Sequence, residues 1–211
     1  QTDSQAFDFE IADPMVLTIG NPPTATIGAA YSHSVTLTGG IPPYTFSAGL
    51  PSGLSIDSAG VIGGTPLPDA LTSTSGISVT DSASPQQSVG ENWRIPVTLE
   101  VATTSMPDAV GGAEYQEFLI ARGGLPNYNW TLTGGSLPAG FPINASISNG
   151  LVRGTPVAFC TPATSTFDVE VTDSDAPIQV AAAQGITFTV NAGLLSVPAS
   201  TLPVGRIGVA Y

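Results

Sequence analysis

Short apolar stretches with a period of two run along most of the chain, and glycine and proline separate them. From Tyr31 to Thr38 every second residue is apolar or aromatic, apart from His33, and the residues between are Ser or Thr. Alternation of this kind places one face of a β-strand on a core and the other in solvent. The same pattern recurs at Ile95, Val97, Leu99 and Val101, and at Ile186, Phe188 and Val190. Since no helical period persists beyond about two turns, the sequence predicts an all-β chain.

The pattern repeats once along the chain with the same landmarks in the same order. The separation of matching landmarks grows from 84 residues, between Gly28 and Gly112, to 92 residues, between Asp81 and Asp173. The intervening landmarks are Gly39-Gly40 with Gly123-Gly124, Leu50-Pro51 with Leu137-Pro138, and Gly64-Thr65-Pro66 with Gly154-Thr155-Pro156. Stepwise growth indicates small insertions in loops. The sequence predicts two repeats, 15–101 and 102–192, each a Greek-key sandwich of about seven strands.

Both ends of the chain look like parts of further repeats. Residues 1–14 contain alternating Phe7, Phe9 and Ile11, which predict the last strand of a preceding repeat. Residues 193–211 end with Gly208 and Tyr211, the spacing that opens each complete repeat, and so predict the start of another. We expect the chain to contact neighbouring repeats or other copies of itself. It is either a segment of a longer protein or a unit whose end strands complete neighbouring copies.

The landmarks together resemble a known family. Their order is G-x-x-Y, G-G-x-P-x-Y, L-P-x-G, G-x-x-x-G-T-P and V-T-D-S, with Asn127 replacing a proline of the first repeat. This order resembles the putative Ig family of large bacterial and archaeal surface proteins, which is akin to cadherin-like repeats. The resemblance implies tandem immunoglobulin-like sandwiches. It also implies extracellular stalks, adhesion modules or carbohydrate-associated arrays.

Charge narrows the classes of partner. Only 9% of the residues are charged, the net charge is -12, and the basic residues are four arginines. No basic patch is available for nucleic acid, and the negative charge repels anionic lipid head groups. No stretch approaches the roughly 18 apolar residues of a membrane span. A surface rich in Ser and Thr is common among extracellular β-proteins, so we expect an extracellular or cell-surface location.

Residues that carry chemistry are few. His33 is the single histidine and Cys160 the single cysteine, which is too few for a zinc site. No G-x-S-x-G elbow accompanies His33, and its phase on the strand favours a partly buried position. The 16 acids are enough to supply the paired carboxylates of a glycoside hydrolase, but no pattern pairs two of them. The sequence therefore predicts a protein that is not an enzyme. Cys160 is either a small buried residue, which we favour, or a thiol that pairs with another chain.

The loop "VTDSDAP" provides the candidate metal site. Asp173 and Asp175 follow a predicted strand, and in a Greek-key sandwich this loop lies next to the preceding repeat. There they would face residues 102–107, with Asp108 and Glu114 within reach. Calcium takes six to eight oxygen ligands, so Asp173, Asp175 and Asp108 predict a calcium site at the repeat junction. The alternative is that these aspartates bond their own backbone as turn residues.

Two functions fit these observations. The first is a non-catalytic structural or adhesive segment of a larger cell-surface or filament-forming protein, in which stacked sandwiches form a rod. The second is a carbohydrate-binding module of a secreted enzyme that binds surface glycans on Trp93, Trp130 or Tyr128. Packing in the core is the competing interpretation of these aromatic residues, and their exposure distinguishes the two.

Overall fold

The computed structural model describes residues 13–74, 76–141, 149–158 and 160–193. Within these ranges every regular element of secondary structure is a β-strand. No helix there is long and apolar enough to cross a membrane. The strands of the first repeat are β1 (Val16–Thr18), β2 (Tyr31–Ser34), β3 (Thr36–Thr38), β4 (Thr45–Ala48), β5 (Leu54–Ile56), β6 (Val61–Gly64), β7 (Ile77–Thr80) and β8 (Ser88–Glu91). Those of the second repeat are β9 (Glu100–Val101), β10 (Ala109–Val110), β11 (Tyr115–Phe118), β12 (Ala121–Arg122), β13 (Asn129–Gly135), β14 (Leu151–Gly154), β15 (Ala163–Thr172) and β16 (Val180–Asn191).

The strands of the first repeat form two layers. One layer pairs β1 with β3 and joins β2, β6 and β5, while the other joins β4, β7 and β8. The chain crosses between the layers after β3, after β4 and after β6. A parallel bridge from Ala25 to Val97 extends the second layer.

The second repeat has the same plan with longer strands. β9 pairs with β12 and β11 with β14, while β13, β15, β16 and β10 form a four-stranded sheet. β10 runs parallel to β16, with Ala109 opposite Val190, as Ala25 lies opposite Val97 in the first repeat. The predicted all-β Greek-key sandwich is confirmed.

Each repeat has its own hydrophobic core, built from both layers. Along β2 and into β3, Tyr31 and Val35 are buried while Ser32, Ser34 and Thr36 are exposed, as the alternation predicts. The first core contains Met15, Leu17, Tyr31, Val35, Ile62, Ile77, Val79, Ile95 and Val97 among others. The second contains Leu99, Tyr115, Leu119, Trp130, Val152, Phe167, Val169, Val171, Ile186, Phe188 and Val190 among others.

The chain passes from one core to the next at Thr98. Val97 is buried in the first core and Leu99 in the second, so one exposed residue separates them. The continuous strand predicted from Ile95 to Val101 is wrong. Pro96 has no N–H to donate, and the segment divides into an isolated bridge at Val97 and the strand β9.

The predicted repeat boundaries at 101 and 192 stay predictions. The end segments predicted as parts of further repeats, 1–14 and 193–211, lie almost wholly outside the described residues. Residues 13, 14 and 193 alone are described.

Candidate functional site at the repeat junction

An aspartate at the end of β7 and its counterpart at the end of β15 organise the same end of each repeat. Asp81 accepts hydrogen bonds from the N–H groups of Ile41 at 3.1 Å and Gln87 at 2.7 Å. Asp173 accepts them from Leu125 at 3.0 Å and Gln179 at 2.8 Å. These aspartates are buried, so each one fixes the turn before β4 or β13 to the loop that follows its own strand.

The glycine pair before each of these turns allows close approach to the preceding segment. A Cβ atom on Gly123 would lie 1.9 Å from the carbonyl oxygen of Thr98, and one on Gly124 would lie 2.7 Å from Asp173 Oδ2. Both glycines have positive φ, as the sequence predicts for this turn. The Tyr128 hydroxyl donates to the Gly123 carbonyl at 2.7 Å, which fixes the turn from its other side.

An ion pair joins the two repeats at this end. Arg94, which precedes the last bridge of the first repeat, donates through one guanidinium nitrogen to both carboxylate oxygens of Asp175 in the second. The Asp175 side chain is 2% exposed and that of Arg94 is 37% exposed. The pair is therefore shielded on the acid side, where desolvation strengthens it.

Gln179 provides a second connection between the repeats. Its Oε1 accepts from the N–H of Leu99 at 3.0 Å, and its Nε2 donates to the carbonyl of Val97 at 3.0 Å. The amide thus bridges the backbone on either side of Thr98, where the chain passes from the first core to the second. The N–H of Thr72 also donates to the carbonyl of Gly124 at 2.8 Å across the junction.

The ionisation of two aspartates reflects these contacts. Burial raises the pKa of Asp175, but the bonds from Arg94 and the Ala176 N–H outweigh it and hold the pKa below its ordinary value of 3.8. Burial also raises the pKa of Asp81, and the N–H donors of Gln87 and Ile41 reverse that effect. Both carboxylates are therefore ionised at neutral pH.

The structure brings together only part of the predicted calcium set. Asp173 and Asp175 lie in one loop next to the preceding repeat, as expected. Asp108 lies at the other end of the sandwich, where its Oδ2 accepts from Asn191 at 3.1 Å. β16 runs from the Asp173 end at Val180 to the Asp108 end, a distance of roughly 35 Å at 3.3 Å per residue.

Glu114 is at that far end as well, where it pairs with Arg153. The segment before β10 runs the length of the sandwich alongside β16, and this carries both acids away from the junction. No group of three or more His, Cys, Asp or Glu side chains in the described ranges is placed to hold a metal. Calcium at Asp173 and Asp175 stays a prediction, and the ion would have to replace Arg94 at Asp175.

The three aromatic residues predicted as candidate sugar-binding platforms differ in how deeply they are buried. Trp130 is 4% exposed and belongs to the second core. Trp93 is partly buried against the first core and stacks on His33, with ring centroids 5.7 Å apart. The two tryptophans lie in different repeats, so they form no shared platform. Tyr128 is partly exposed.

His33 and Cys160 have different outcomes. His33 is partly buried and its Nε2 lies 2.7 Å from the carbonyl of Ile19, in agreement with the predicted strand position. Cys160 is exposed, so the prediction of a buried residue is wrong. Its position in the loop after β14, beyond the last core residue of that strand, accounts for the exposure. Pairing of its thiol with another chain stays a prediction.

Sequence reasoning missed Arg94 and Gln179 as junction residues. A signal was present in the alignment of the two repeats, in which Asp175 replaces Ala83 of the first repeat. A carboxylate at a position that the fold leaves neutral indicates a cationic partner outside the repeat. The chain has four arginines, and the alignment of the repeats does not indicate which of them is that partner.

The sequence matches one protein family twice. The family is described as "Putative Ig domain", and the matches cover residues 14–102 and 78–193. No curated protein sequence matches the chain.

Several solved structures are similar to it at low identity. The extracellular domain of protocadherin GammaB4 is 17% identical, over 84% of this chain and 34% of that chain, with a TM-score of 0.31. Mouse cadherin-23 EC22-24 is 16% identical, over 85% of this chain and 64% of that chain, with a TM-score of 0.34. An endo-fucoidan hydrolase from glycoside hydrolase family 107 is 16% identical, over 85% of this chain and 29% of that chain, with a TM-score of 0.32. This chain spans less than two thirds of each of them.

Proposed function

Because this chain belongs to the family described as "Putative Ig domain", we propose that it is a structural and adhesive segment of a larger extracellular or cell-surface protein. In this role the two repeats carry no chemistry of their own. They form a stiff spacer that holds the rest of the protein at a distance from its anchor. Neighbouring repeats, or other copies of the chain, are its partners.

The observation that carries the proposal is the bridge made by Gln179. Its amide occupies the Val97 carbonyl and the Leu99 N–H, the backbone groups on either side of the single residue between the two cores. A flexible linker would leave these groups to water. Here Gln179 satisfies both groups, and the Gly124 N–H of the same repeat also donates to the Val97 carbonyl at 2.9 Å. These bonds couple the orientation of one sandwich to the other.

The ion pair acts on the same coupling from a second position. Arg94 and Asp175 are 81 residues apart in the chain and join the repeats beside the amide bridge. Together with the Thr72–Gly124 hydrogen bond, these attachments resist bending about more than one axis, which a single attachment does not. Stiff coupling of this kind supports a spacer role, because a rod transmits position over its length.

The two aspartates of the junction loop have structural partners, which supports a spacer role. Asp173 is bound by backbone donors and Asp175 by Arg94, so neither carboxylate is placed as a general acid or base. The cationic partner lowers the pKa of Asp175, whereas a general acid needs a raised one.

Surface proteolysis tests the location. Brief trypsin treatment of intact cells of the source organism is expected to release peptides of this chain before peptides of intracellular proteins. Release only after lysis would contradict an extracellular location.

A turnover assay tests the lack of catalysis. The purified chain is expected to leave polysaccharide, ester and peptide substrates unchanged. Turnover that is lost on substitution of a specific acidic residue would contradict the proposal.

A further inference from the structure

An open groove with an unusual set of side chains lies on the second repeat, beside the turn that contains Tyr128. It has a volume of about 580 Å³, within the ~300–1,000 Å³ range of ligand clefts. Its lining residues are Leu119, Ile120, Ala121, Asn127, Tyr128, Asn129, Trp130 and Asn149. Three of the eight are asparagines, three are aliphatic, two are aromatic, and none is charged.

The first repeat shows which of these residues the fold requires. The buried Leu119 and Trp130 correspond to Val35 and Phe46, which pack in the first core. Tyr128 corresponds to Tyr44, and both hydroxyls donate to the carbonyl of the first glycine of a pair. These positions have the same packing role in both repeats.

Core packing does not account for the remaining positions, although Asn149 Oδ1 accepts from the Leu151 N–H at 3.4 Å. Asn127, Asn129 and Asn149 stand where the first repeat has Pro43, Thr45 and Ala59, and Ile120 stands where it has Thr36. The second repeat thus has three carboxamides around one exposed aliphatic side chain, 54% exposed at Ile120. The equivalent strands of the first repeat have none of these four side chains.

Asn127 adds a separate observation. Its φ is 83°, which makes it the one non-glycine residue with positive φ in the described part of the chain. The left-handed region is strained for residues other than glycine, although asparagine tolerates it better than most. The first repeat has proline at this position, a residue confined to negative φ.

The chemistry of the lining fits one class of ligand. Each carboxamide both donates and accepts, which matches the hydroxyl groups of a sugar ring. The ring of Tyr128, fixed through its hydroxyl by the Gly123 carbonyl, and the Ile120 side chain provide apolar surface for the C–H face of that ring. A chain of net charge -12 with no cation in the groove disfavours anionic saccharides.

We propose that this groove binds neutral sugar residues of a glycan, with Asn127, Asn129 and Asn149 bonding the hydroxyls and Tyr128 and Ile120 contacting the ring. Tyr128 is one of the three candidate aromatic platforms predicted from the sequence, whereas the three asparagines and Ile120 are added by the structure. The site goes beyond the spacer role, and it uses neither the Arg94–Asp175 pair nor the Gln179 bridge. Loss of sugar binding and loss of repeat coupling are therefore separable.

A nuclear magnetic resonance titration of the full chain tests the site. The probes are cellohexaose, xylohexaose and mannohexaose as neutral ligands and hexamannuronate as an anionic ligand. At least one neutral probe is expected to shift the side-chain amide signals of the three asparagines saturably, and hexamannuronate is expected to leave them in place. Asn92 of the first repeat lies outside the groove and is the control. The proposal would be overturned if its side-chain amide signal also shifted saturably, or if no neutral probe shifted the signals of the three asparagines.

Two variants separate binding from folding. Asn127→Gly relieves the positive φ and removes the carboxamide, so it is expected to keep or raise the melting temperature and to weaken binding at least tenfold. The triple variant Asn127→Pro, Asn129→Thr and Asn149→Ala installs the residues of the first repeat and is expected to abolish binding. Asn127→Gly binding with unchanged affinity would reduce Asn127 to a turn residue and overturn its role. Stronger binding of hexamannuronate than of every neutral probe would overturn the ligand class.

Discussion

Arg94 of the first repeat and Asp175 of the second form an ion pair across the junction, with the acid buried and the base partly exposed. In the first repeat, Ala83 occupies the position of Asp175. The pair is thus a property of this junction and not of the fold.

Separating the pair is expected to destabilise the protein more than removing both partners. Arg94→Met leaves the Asp175 carboxylate buried without its cation, which costs about 1–3 kcal/mol for a partly exposed pair. Asp175→Ala restores the residue of the first repeat, and the double variant is expected to be more stable than Arg94→Met alone. Urea unfolding of the four proteins gives the coupling energy. A coupling energy of zero would show that the pair contributes nothing in solution.

The amide bridge gives a second prediction with a matched control. Gln179→Ala leaves the Val97 carbonyl and the Leu99 N–H without that partner, and we expect a loss of about 1–3 kcal/mol. Gln87 occupies the same position in the first repeat, where its backbone N–H and carbonyl bond Asp81 and the described structure shows no hydrogen bond of its side chain. Gln87→Ala is therefore expected to change stability by less than about 0.5 kcal/mol. Equal losses in the two variants would contradict a bridging role.

The glycine pair predicts a steric effect that positive φ alone does not explain. Gly124→Ala places a Cβ atom 2.7 Å from Asp173 Oδ2, whereas Gly185 has a similar φ of +68° and nothing within 4 Å of the added atom. Both alanines carry the conformational cost of about 1–2 kcal/mol, and Gly124→Ala is expected to cost clearly more. Thermal melts of the two variants make the comparison, and similar melting temperatures would show that the loop relaxes.

The lowered pKa of Asp175 predicts an effect of acid. A carboxyl group whose pKa is lower in the folded state stabilises the protein above its unfolded pKa, and this contribution is lost as the pH falls through the folded pKa. This contribution is therefore lost at pH values below the ordinary pKa of 3.8. Between about pH 7 and about pH 3, Asp175→Asn is expected to lose less stability than the unchanged chain. Asp81 contributes equally in the two proteins, so its effect cancels in the comparison. An identical loss of stability in the two proteins would therefore show that Asp175 is not part of the acid response.

Chelation tests the calcium prediction separately. If Asp173 and Asp175 bind calcium, EDTA lowers the melting temperature, and the variant Asp173→Asn with Asp175→Asn removes the difference. A melting curve unchanged by EDTA would contradict the calcium site and leave Arg94 as the partner of Asp175.

How far the sequence predicts this molecule depends on the range of each interaction. The alternation from Tyr31 to Val35 is local, and so is the positive φ of the glycine pairs, and both follow from residues a few positions apart. The interruption of the strand at Pro96 could also be predicted from the sequence, because proline has no N–H to donate to a neighbouring strand. The prediction of an unbroken strand gave the period of the apolar residues more weight than the missing donor.

The site depended on contacts that no local pattern contains. Asp108 follows a linker-like segment, and only the parallel pairing of β10 with β16 shows that it lies at the far end of the sandwich. Arg94 and Asp175 are brought together by the way one sandwich is placed on the next. The difference between Asp175 and Ala83 could indicate that a partner exists, but it could not identify Arg94.

Residual dipolar couplings measured in a weakly aligned sample test the coupling of the repeats most directly. We expect one alignment tensor to fit the backbone N–H couplings of both sandwiches in the unchanged chain. The double variant Arg94→Met with Gln179→Ala is expected to need two tensors of different magnitude, with each repeat still folded. Two independent tensors in the unchanged chain would contradict a stiff spacer, because the repeats would then reorient separately despite the bonds between them.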